Sequence, residues 1–284
     1  MLVDLEFAGI NPVDTYMAKG TVAPDAPLPR TLGSEGSGTT EGRAVLVSGE
    51  GLGAARDGAW AEAAVVPREA VHDIPEGVDR CAAAAMGVAG LTAWNCVHDL
   101  AGVTAEDRVL VLGASGGVGT MIVSLAAAAG AVVWGQTGHE GKAGLIEQLG
   151  AERAVVAGAA ELLAGVREFE PTVAFDPLGD GFVEPVVEAL SPGGRIVSFG
   201  TSSAPEVELN MRSLYRKSLS LLGYGGMLVT RERRREGLRA ALEALRAGEL
   251  RFVVDEVLPL DGVNGAFGRL AERDVSGKLM LELG

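Results

Sequence analysis

The feature that most constrains the fold is an alternation of apolar and helix-like segments between residues 108 and 224. The apolar segments are RVLVLGA, VVWGQT, RAVVA, TVAFDPL, RIVSFGT and SLSLLGY, and helical patterns separate most of them. Strands that are apolar on both faces and alternate with helices are typical of a parallel sheet covered on both sides. We therefore predict an α/β fold, with a doubly wound parallel sheet of about six strands.

The first of these strands runs into a glycine-rich turn, Gly113-Ala-Ser-Gly-Gly-Val-Gly119, which leads directly into a helix. Such a turn lets backbone N–H groups and the helix N-terminus meet a pyrophosphate. We expect Ser115, Gly116, Gly117, Val118 and Gly119 to bind a dinucleotide here. The alternative is a tight strand-to-helix turn with no ligand, which the position within the alternation makes the weaker interpretation.

The end of the second strand distinguishes the two nicotinamide dinucleotides. A site for NAD places an acidic residue there to accept from the ribose 2′-hydroxyl group. Here the stretch from Trp134 to His139 contains no acid before Glu140, and Lys142 follows as a candidate partner for a 2′-phosphate. Lys142 alone would be an ordinary surface lysine, but together with the missing acid it favours NADPH.

Charge and composition exclude several other classes. The 24 basic and 38 acidic residues give 24 − 38 = −14, which disfavours binding to nucleic acid or an anionic membrane surface. No apolar run reaches the ~20 residues of a membrane span, and no signal peptide is recognised, so we expect a cytoplasmic protein. Cys81 and Cys96, in Ala-rich stretches, are expected to be buried thiols.

The flanking segments have a different texture. Residues 1–75 suggest a small β-rich unit, and the Ala-rich segment from residue 79 suggests two helices separated by Gly and Thr. Residues 231–250 predict a charged amphipathic helix. VVDEVLPL and KLMLEL, with a helix near residues 264–271 between them, return to a β pattern.

Several motifs together resemble the quinone oxidoreductase (zeta-crystallin-like) branch of the medium-chain dehydrogenase/reductase superfamily. They are Ile10-Asn-Pro-Val-Asp-Thr-Tyr16, Gly90-Leu-Thr-Ala93, the turn Gly113–Gly119 and Phe199-Gly-Thr-Ser-Ser203. The resemblance implies a GroES-like catalytic domain in residues 1–92, a Rossmann NADP-binding domain in residues 93–229, and a return to the catalytic domain in residues 230–284.

The resemblance also implies roles for individual residues. Asn11 and Tyr16 match positions that line the nicotinamide and substrate site, and they are the candidate catalytic residues. The other positions that match cofactor contacts are Thr92, Gly138, Lys142, Gly200, Thr201, Ser202, Tyr224, Gly225, Gly226 and Lys278. Taken alone, Tyr16 would more often be a packed aromatic residue and Asn11-Pro12 a turn.

Zinc-dependent relatives carry a Gly-His-Glu motif, whereas this chain has Gly33-Ser34-Glu35, and serine does not replace imidazole as a zinc ligand. We expect no metal. Without a Lewis acid, hydride transfer to an electrophile such as a quinone suits the site better than alcohol oxidation does. Tyr16 or a water molecule would donate a hydrogen bond to the carbonyl oxygen.

Two alternatives remain: a reductase of enones or enoyl thioesters on the same scaffold, and a non-catalytic NADPH-binding protein. The stretch from residue 36 to 58 is shorter than the resemblance implies, as though one hairpin of the catalytic domain were missing. Relatives also usually begin some 30 residues earlier, so Met1 need not be the native start. The uncharged strand Ser218–Tyr224 predicts a sheet edge, which in the resembling family pairs with its twin in a homodimer.

Overall fold

The computed structural model describes all 284 residues. Its strands are, in chain order, β1 (Leu2–Ile10), β2 (Glu35–Thr40), β3 (Arg43–Ser48), β4 (Ala63–Val65), β5 (Val71–Asp73), β6 (Arg108–Val111), β7 (Val132–Thr137), β8 (Arg153–Val156), β9 (Val173–Asp176), β10 (Arg195–Ser198), β11 (Ser220–Gly223), β12 (Val254–Pro259) and β13 (Lys278–Glu282).

The α-helices are α1 (Pro12–Ala18), α2 (Arg80–Ala84), α3 (Leu91–Trp94), α4 (Gly117–Ala128), α5 (Ala143–Gln148), α6 (Ala159–Val166), α7 (Val183–Ala189), α8 (Met211–Arg216), α9 (Arg231–Ala247) and α10 (Val263–Glu272). Segments Met86–Gly90 and Asn95–Ala101 form π-helical turns. Short 3-10 turns occupy Arg68–Ala70, Glu140–Lys142, Arg167–Phe169, Gly226–Leu228 and Leu260–Gly262. None of the helices combines the length and apolar character that a membrane span requires.

The chain folds into two compact units. The first comprises residues 1–91, 226–248 and 252–284, and the second comprises residues 92–225 and 249–251. The first unit is therefore built from the two ends of the sequence, and the second is an almost continuous central segment. We refer to them as the terminal unit and the central unit.

The central unit contains a six-stranded parallel sheet with the strand order β8-β7-β6-β9-β10-β11. The chain thus builds one half of the sheet outward from β6 and then the other half outward from β9. Parallel strands in this order form the doubly wound dinucleotide fold, whose ligands bind outside the carboxyl ends of the strands at the reversal point. The predicted fold class is confirmed. A core around Leu110, Ala174, Val186 and Ile196 packs on this sheet.

The terminal unit contains a seven-stranded mixed sheet. Its strands follow the order β12-β13-β1-β2-β3-β5, and β4 pairs with the start of β1. All pairs are antiparallel except β12 with β13. Because β13 pairs directly with β1, the C-terminal strand completes a sheet that the N-terminal residues begin. Val3, Leu5, Val45 and Leu281 belong to its core.

The helical segment that follows residue 79 differs from the prediction. Asp79 caps it, with its carboxylate accepting from the N–H of Ala82 at 2.8 Å. The interruption falls at Ala85, and the chain then stays helical through π-helical turns to the left-handed Gly102. Gly87 lies within this helical stretch, where a Cβ would be 2.7 Å from the Cβ of Glu35 and 2.9 Å from that of Ser48, so close packing accounts for this glycine. Cys96 is buried as expected, but Cys81 is only partly buried.

Candidate functional site

The glycine-rich turn of the central unit is anchored on the neighbouring strand β7. Gly113 adopts a left-handed conformation with φ of 57°, and its N–H donates to Oε1 of Gln136 at 3.0 Å. The N–H of Ala114 donates to the backbone oxygen of Gln136 at 2.9 Å. The side-chain amide of Gln136 in turn donates to the oxygen of Ala157 at 2.7 Å. One glutamine therefore links the turn to the carboxyl ends of β7 and β8.

The start of α4 supplies unpaired backbone donors at this turn. The first hydrogen bond of the helix runs from the N–H of Thr120 to the oxygen of Gly116 at 2.9 Å. The N–H groups of Gly117, Val118 and Gly119 precede that bond and so have no acceptor within the helix. Such a helix N-terminus favours an anion.

Gly119 is required by the packing of the turn itself. A Cβ atom on Gly119 would overlap the backbone oxygen of Gly113 and lie 2.9 Å from the Cα of Ala114. At Gly116 the nearest atom of the protein to such a Cβ would be 3.3 Å away, again the oxygen of Gly113. The strand and the helix therefore approach closely at Gly119, which is the role of the last glycine in this motif.

The end of β7 lies beside the turn. The hydroxyl groups of Ser115 and Thr137 are 3.3 Å apart, and the N–H of His139 donates to Thr137 at 3.4 Å. No atom lies within 4 Å of the position that a Cβ on Gly138 would take. Lys142 ends the 3-10 turn that follows and is half-buried. The structure thus brings Ser115 and Thr137, the residue before Gly138, together, and no acidic side chain lies between them.

Other predicted cofactor residues lie beyond the ends of β10 and β11. Gly200, Thr201 and Ser202 follow β10, and Ser202 donates from both its N–H and its hydroxyl to the oxygen of Pro177, each at 3.0 Å. Tyr224 follows β11, and its hydroxyl accepts from the amide of Asn95 at 3.3 Å.

Two further predicted residues lie at the ends of the main segment of the central unit: Thr92 is its first residue and Gly225 its last. Thr92 is buried within α3, and Gly225 directly follows Tyr224. Gly226, also predicted, is the first residue of a 3-10 turn in the terminal unit. Its backbone oxygen accepts from Arg234 at 2.8 Å.

In the terminal unit, Asn11 and Lys278 meet in a buried polar cluster. Nζ of Lys278 lies 2.7 Å from Oδ1 of Asn11, 3.0 Å from Oε1 of Glu35 and 3.1 Å from the oxygen of Ile10. The amide of Asn11 donates to the same Glu35 oxygen at 2.7 Å, and the N–H of Val88 donates to Oε2 at 2.6 Å. Three acceptors match the three protons of the Lys278 ammonium group. This arrangement suits Lys278 to positioning Asn11 better than to contacting a cofactor directly.

A second carboxylate, that of Asp14, belongs to the same cluster. It accepts from the N–H of Asn11 at 2.8 Å and from the hydroxyl of Ser34 at 2.7 Å. Burial, together with the nearby charge of Glu35, raises the pKa of Asp14 to about 6, although both hydrogen bonds act in the opposite direction. The side chain of Ser34, at the position where zinc-dependent relatives have histidine, is thus committed to Asp14.

The side chains around Ser34 do not fit a zinc ion. Nowhere in the chain do three His, Cys, Asp or Glu side chains lie together in an arrangement that could hold a metal ion. A hydroxyl group that donates to a carboxylate is also unsuited to act as a zinc ligand. The region therefore lacks the donor set that a catalytic zinc site requires.

Tyr16 lies outside the buried cluster. It is on α1, whose first turn is fixed by Asn11 and Asp14, and 37% of its surface is exposed. Its hydroxyl group makes no hydrogen bond within the chain. The helix that carries it differs from the turn that Asn11-Pro12 alone suggests. Asn11 is the residue before the helix and Pro12 is its first residue, a position where prolines are common.

Asp14, Glu35 and Gln136 are site residues that the sequence did not predict. The signal for Glu35 is in the glycines around it. A Cβ on Gly9 would overlap Oε1 of Glu35, and a Cβ on Gly87 would lie 2.7 Å from the Cβ of Glu35. Gly9 and Gly87 therefore leave the space that a buried carboxylate needs.

Comparisons with known proteins agree with this architecture. A family model described as zinc-binding dehydrogenase matches residues 117–244. The quinone oxidoreductase of Sus scrofa is 31% identical over 295 residues, covering 100% of this chain and 89% of the relative. The chain belongs to the quinone oxidoreductase family of the medium-chain dehydrogenase/reductase superfamily. The resemblance inferred from the motifs is confirmed.

Solved structures similar to this quinone oxidoreductase family member include one described as NAD-dependent and one with bound NADPH. A NAD-dependent alcohol dehydrogenase has a TM-score of 0.91 and 30% identity, and the match covers 100% of this chain and 91% of that one. The YhdH protein of Escherichia coli K-12 with bound NADPH has a TM-score of 0.85 and 25% identity, with the same coverage. The choice between the two cofactors therefore rests on the residues of this chain.

Proposed function

We propose that this protein is an NADPH-dependent oxidoreductase that transfers a hydride to a quinone without a metal ion. The observation that carries the proposal is the anchored turn Gly113–Gly119 beside a strand end that lacks an acidic residue. The Sus scrofa relative, a quinone oxidoreductase, supports the choice of a quinone as the acceptor.

The residues of the central unit fit the cofactor. The N–H groups of Gly117, Val118 and Gly119 would hold the pyrophosphate, because they have no acceptor within α4. Gly138 leaves open space at the end of β7, and Lys142 would add a positive charge for the 2′-phosphate. NADPH, once bound, supplies the hydride, and the protein supplies position and polarity.

Tyr16 is the donor that we assign to the carbonyl oxygen of the quinone. Reduction places negative charge on that oxygen, and a hydrogen-bond donor held close to it stabilises the charge. Asp14, Asn11 and Lys278 hold the start of α1, so the buried cluster fixes the helix on which Tyr16 lies. The proton that completes the hydroquinone is delivered by Tyr16 or by solvent.

The quinone proposal is tested by the rate of NADPH oxidation with quinones, enones, enoyl thioesters and aldehydes, with NADH as the comparison cofactor. We expect quinones to give the highest kcat/KM. Preference for enones or enoyl thioesters would assign the chain to double-bond reduction instead. NADPH binding without turnover on any acceptor would indicate a non-catalytic binding protein.

The role of Tyr16 has its own variant and control. Tyr16→Phe should lower kcat by about a hundredfold, because it removes one donor to the developing oxyanion. Tyr215→Phe removes a hydroxyl from an exposed tyrosine of α8 but keeps its apolar ring, so it should leave both kcat and the surface around β11 unchanged. Equal rates for Tyr16→Phe and the parent enzyme would contradict the assignment.

We also propose that the protein is a homodimer formed through the segment Ser218–Tyr224. Strand β11 lies at one edge of the parallel sheet, and Leu221 on it is exposed. Met211 and Tyr215 on the preceding helix α8 are exposed as well, so the edge carries an apolar surface. Leu221→Lys should convert the dimer to a monomer in sedimentation experiments, whereas Val156→Lys at the opposite edge strand, β8, should not.

A further inference from the structure

A buried carboxylate at the centre of the parallel sheet has no role in the proposed hydride transfer. Asp176 is the last residue of β9, is buried, and forms no ion pair. Burial raises the pKa of Asp176 above its usual value, partly offset by backbone hydrogen bonds. An unpaired buried carboxylate costs stability, so its presence calls for an explanation in terms of what it holds.

The carboxylate of Asp176 organises the turn that follows β9. Its Oδ1 accepts from the N–H of Leu178 at 2.8 Å and from the N–H of Gly179 at 3.1 Å. Gly179 adopts φ of 83°, which glycine tolerates readily. Because one side-chain oxygen accepts from two successive backbone N–H groups, Asp176 fixes the conformation of residues 177–179, the Pro177 turn.

The Pro177 turn holds the loop that follows β10. The oxygen of Pro177 accepts from the N–H and the hydroxyl of Ser202, each at 3.0 Å, and the oxygen of Leu178 accepts from the N–H of Ser203 at 2.8 Å. Gly179 also pairs with Ala204. The loop of residues 200–204 therefore takes its position from the backbone of the Pro177 turn.

The same turn touches the phosphate-binding turn from the other side. A Cβ on Gly113 would lie 3.2 Å from Cγ of Pro177, and a Cβ on Gly200 would lie 3.0 Å from the oxygen of Pro177. The Pro177 turn thus sits between Gly113, the first residue of the phosphate-binding turn, and Gly200, in the loop after β10. It sets the spacing between two segments that both belong to the proposed cofactor site.

We infer that Asp176 is a positioning residue for the cofactor: through the Pro177 turn it fixes the loop of residues 200–204 relative to the phosphate-binding turn. The inference rests on the proposed function, because it assumes that NADPH binds along these segments. Asp176 acts through the turn and does not itself touch the cofactor. Its loss should affect the half of the cofactor at residues 200–204 more than the adenosine half at Gly138 and Lys142.

The test compares NADPH with adenosine 2′,5′-bisphosphate, a fragment that carries only the adenosine half. Asp176→Ala should weaken NADPH binding, measured by its fluorescence, by about tenfold, the effect of a buried hydrogen-bond group. Binding of the fragment, measured by calorimetry, should stay within about twofold of the parent, because its site shares no partner with Asp176. Asp176→Asn retains an oxygen that can accept from both N–H groups, so it should restore most of the NADPH affinity.

A matched control separates positioning from stability. Asp107 is a buried carboxylate near the amino end of the same sheet, where it accepts from Thr172 at 2.7 Å and Arg195 at 3.0 Å. Asp107→Ala should lower the melting temperature without changing the ratio of NADPH to fragment affinity. Should Asp176→Ala fail to fold, Gly179→Ala perturbs the same turn, because its Cβ would overlap the oxygen of Ala204.

The possible results separate the role of Asp176 from the proposed function. Failure of the parent protein to bind NADPH overturns the proposed function. Binding by the parent, with equal losses for NADPH and the fragment or with no loss in Asp176→Ala, overturns the role of Asp176 alone. If Gly179→Ala is used instead, equal losses for NADPH and the fragment, or no loss, would likewise overturn the role of Asp176.

Discussion

The ammonium nitrogen of Lys278 lies 3.0 Å from Oε1 of Glu35, although the two residues are 243 positions apart in the sequence; both side chains are buried. The pair joins β13, the last strand, to β2 across β1, whose end supplies the oxygen of Ile10 as a further acceptor. Burial removes both ions from water, and the attraction between them compensates for the lost hydration. Either ion alone would lose its hydration without compensation. The contact therefore ties the C-terminal segment to the position of Asn11.

Removal of one member of this pair should be strongly destabilising. Lys278→Met leaves Glu35 buried and unpaired, and we expect the free energy of unfolding to fall by about 3–5 kcal/mol. The double variant Lys278→Met, Glu35→Gln should lose less than the sum of the two single variants. Urea unfolding of all four proteins measures the coupling. Arg43→Met, which breaks the exposed pair with Asp73, is the control and should cost at most about 1 kcal/mol.

Gly9 should be intolerant of any side chain. A Cβ there would overlap the carboxylate of Glu35, which cannot move without breaking its bonds to Asn11 and Lys278. Gly9→Ala should therefore lower the free energy of unfolding by about 1–3 kcal/mol. Gly265→Ala in α10 meets no atom within 4 Å and should stabilise the protein by up to about 1 kcal/mol. Equal stabilities of these two variants would show that the carboxylate of Glu35 is not confined beside Gly9.

The free energy of unfolding should depend on pH through the titration of Asp14. Its pKa is about 6 in the folded protein against an ordinary value of 3.8, so the folded state binds this proton more tightly than the unfolded state does. The contribution of Asp14 is therefore fully present below about pH 4 and is lost as the pH rises through about 6, by about 3 kcal/mol in total. The useful quantity is the difference from Asp14→Asn, because that difference isolates the contribution of this one group.

Asp14→Asn keeps the shape of the side chain but does not ionise. The unfolding free energy of the parent, minus that of Asp14→Asn, should decrease between about pH 4 and about pH 7 and be flat above that range. Ser34→Ala removes a hydrogen bond that favours the ionised form, so it should raise the pKa of Asp14 further and extend the decrease to higher pH. A difference that does not change with pH would contradict the raised pKa.

Most of the central unit could be predicted from the sequence, because its signals are local. Each buried parallel strand is a continuous apolar run, and the turn Gly113–Gly119 is a contiguous motif. The partner of the turn, Gln136, could not be predicted in the same way, because its role depends on β7 lying beside β6, a contact between segments 23 residues apart.

The buried cluster of the terminal unit could not be predicted either, because its residues are still farther apart in the sequence. Asp14, Glu35 and Lys278 come from three segments that only the folded sheet brings together. In the sequence each has the appearance of an ordinary surface charge. Asn11 and Lys278 were expected to be cofactor residues only through the family resemblance, and neither their contact nor their burial was predicted.

The choice of cofactor leads to a further prediction at Gly138. An aspartate at this position would place a carboxylate at the end of β7, where NAD sites have the acid that accepts from the ribose 2′-hydroxyl group. The structure has room for it, because no atom lies within 4 Å of the Cβ position. Gly138→Asp should weaken NADPH binding by about tenfold or more through repulsion of the 2′-phosphate, and it should strengthen NADH binding.

Gly144→Asp, on α5 with equally open surroundings, adds the same charge and should leave the ratio of the two affinities unchanged. Fluorescence titration with each cofactor gives both ratios, and an unchanged preference in Gly138→Asp would show that the 2′-phosphate does not lie at the end of β7.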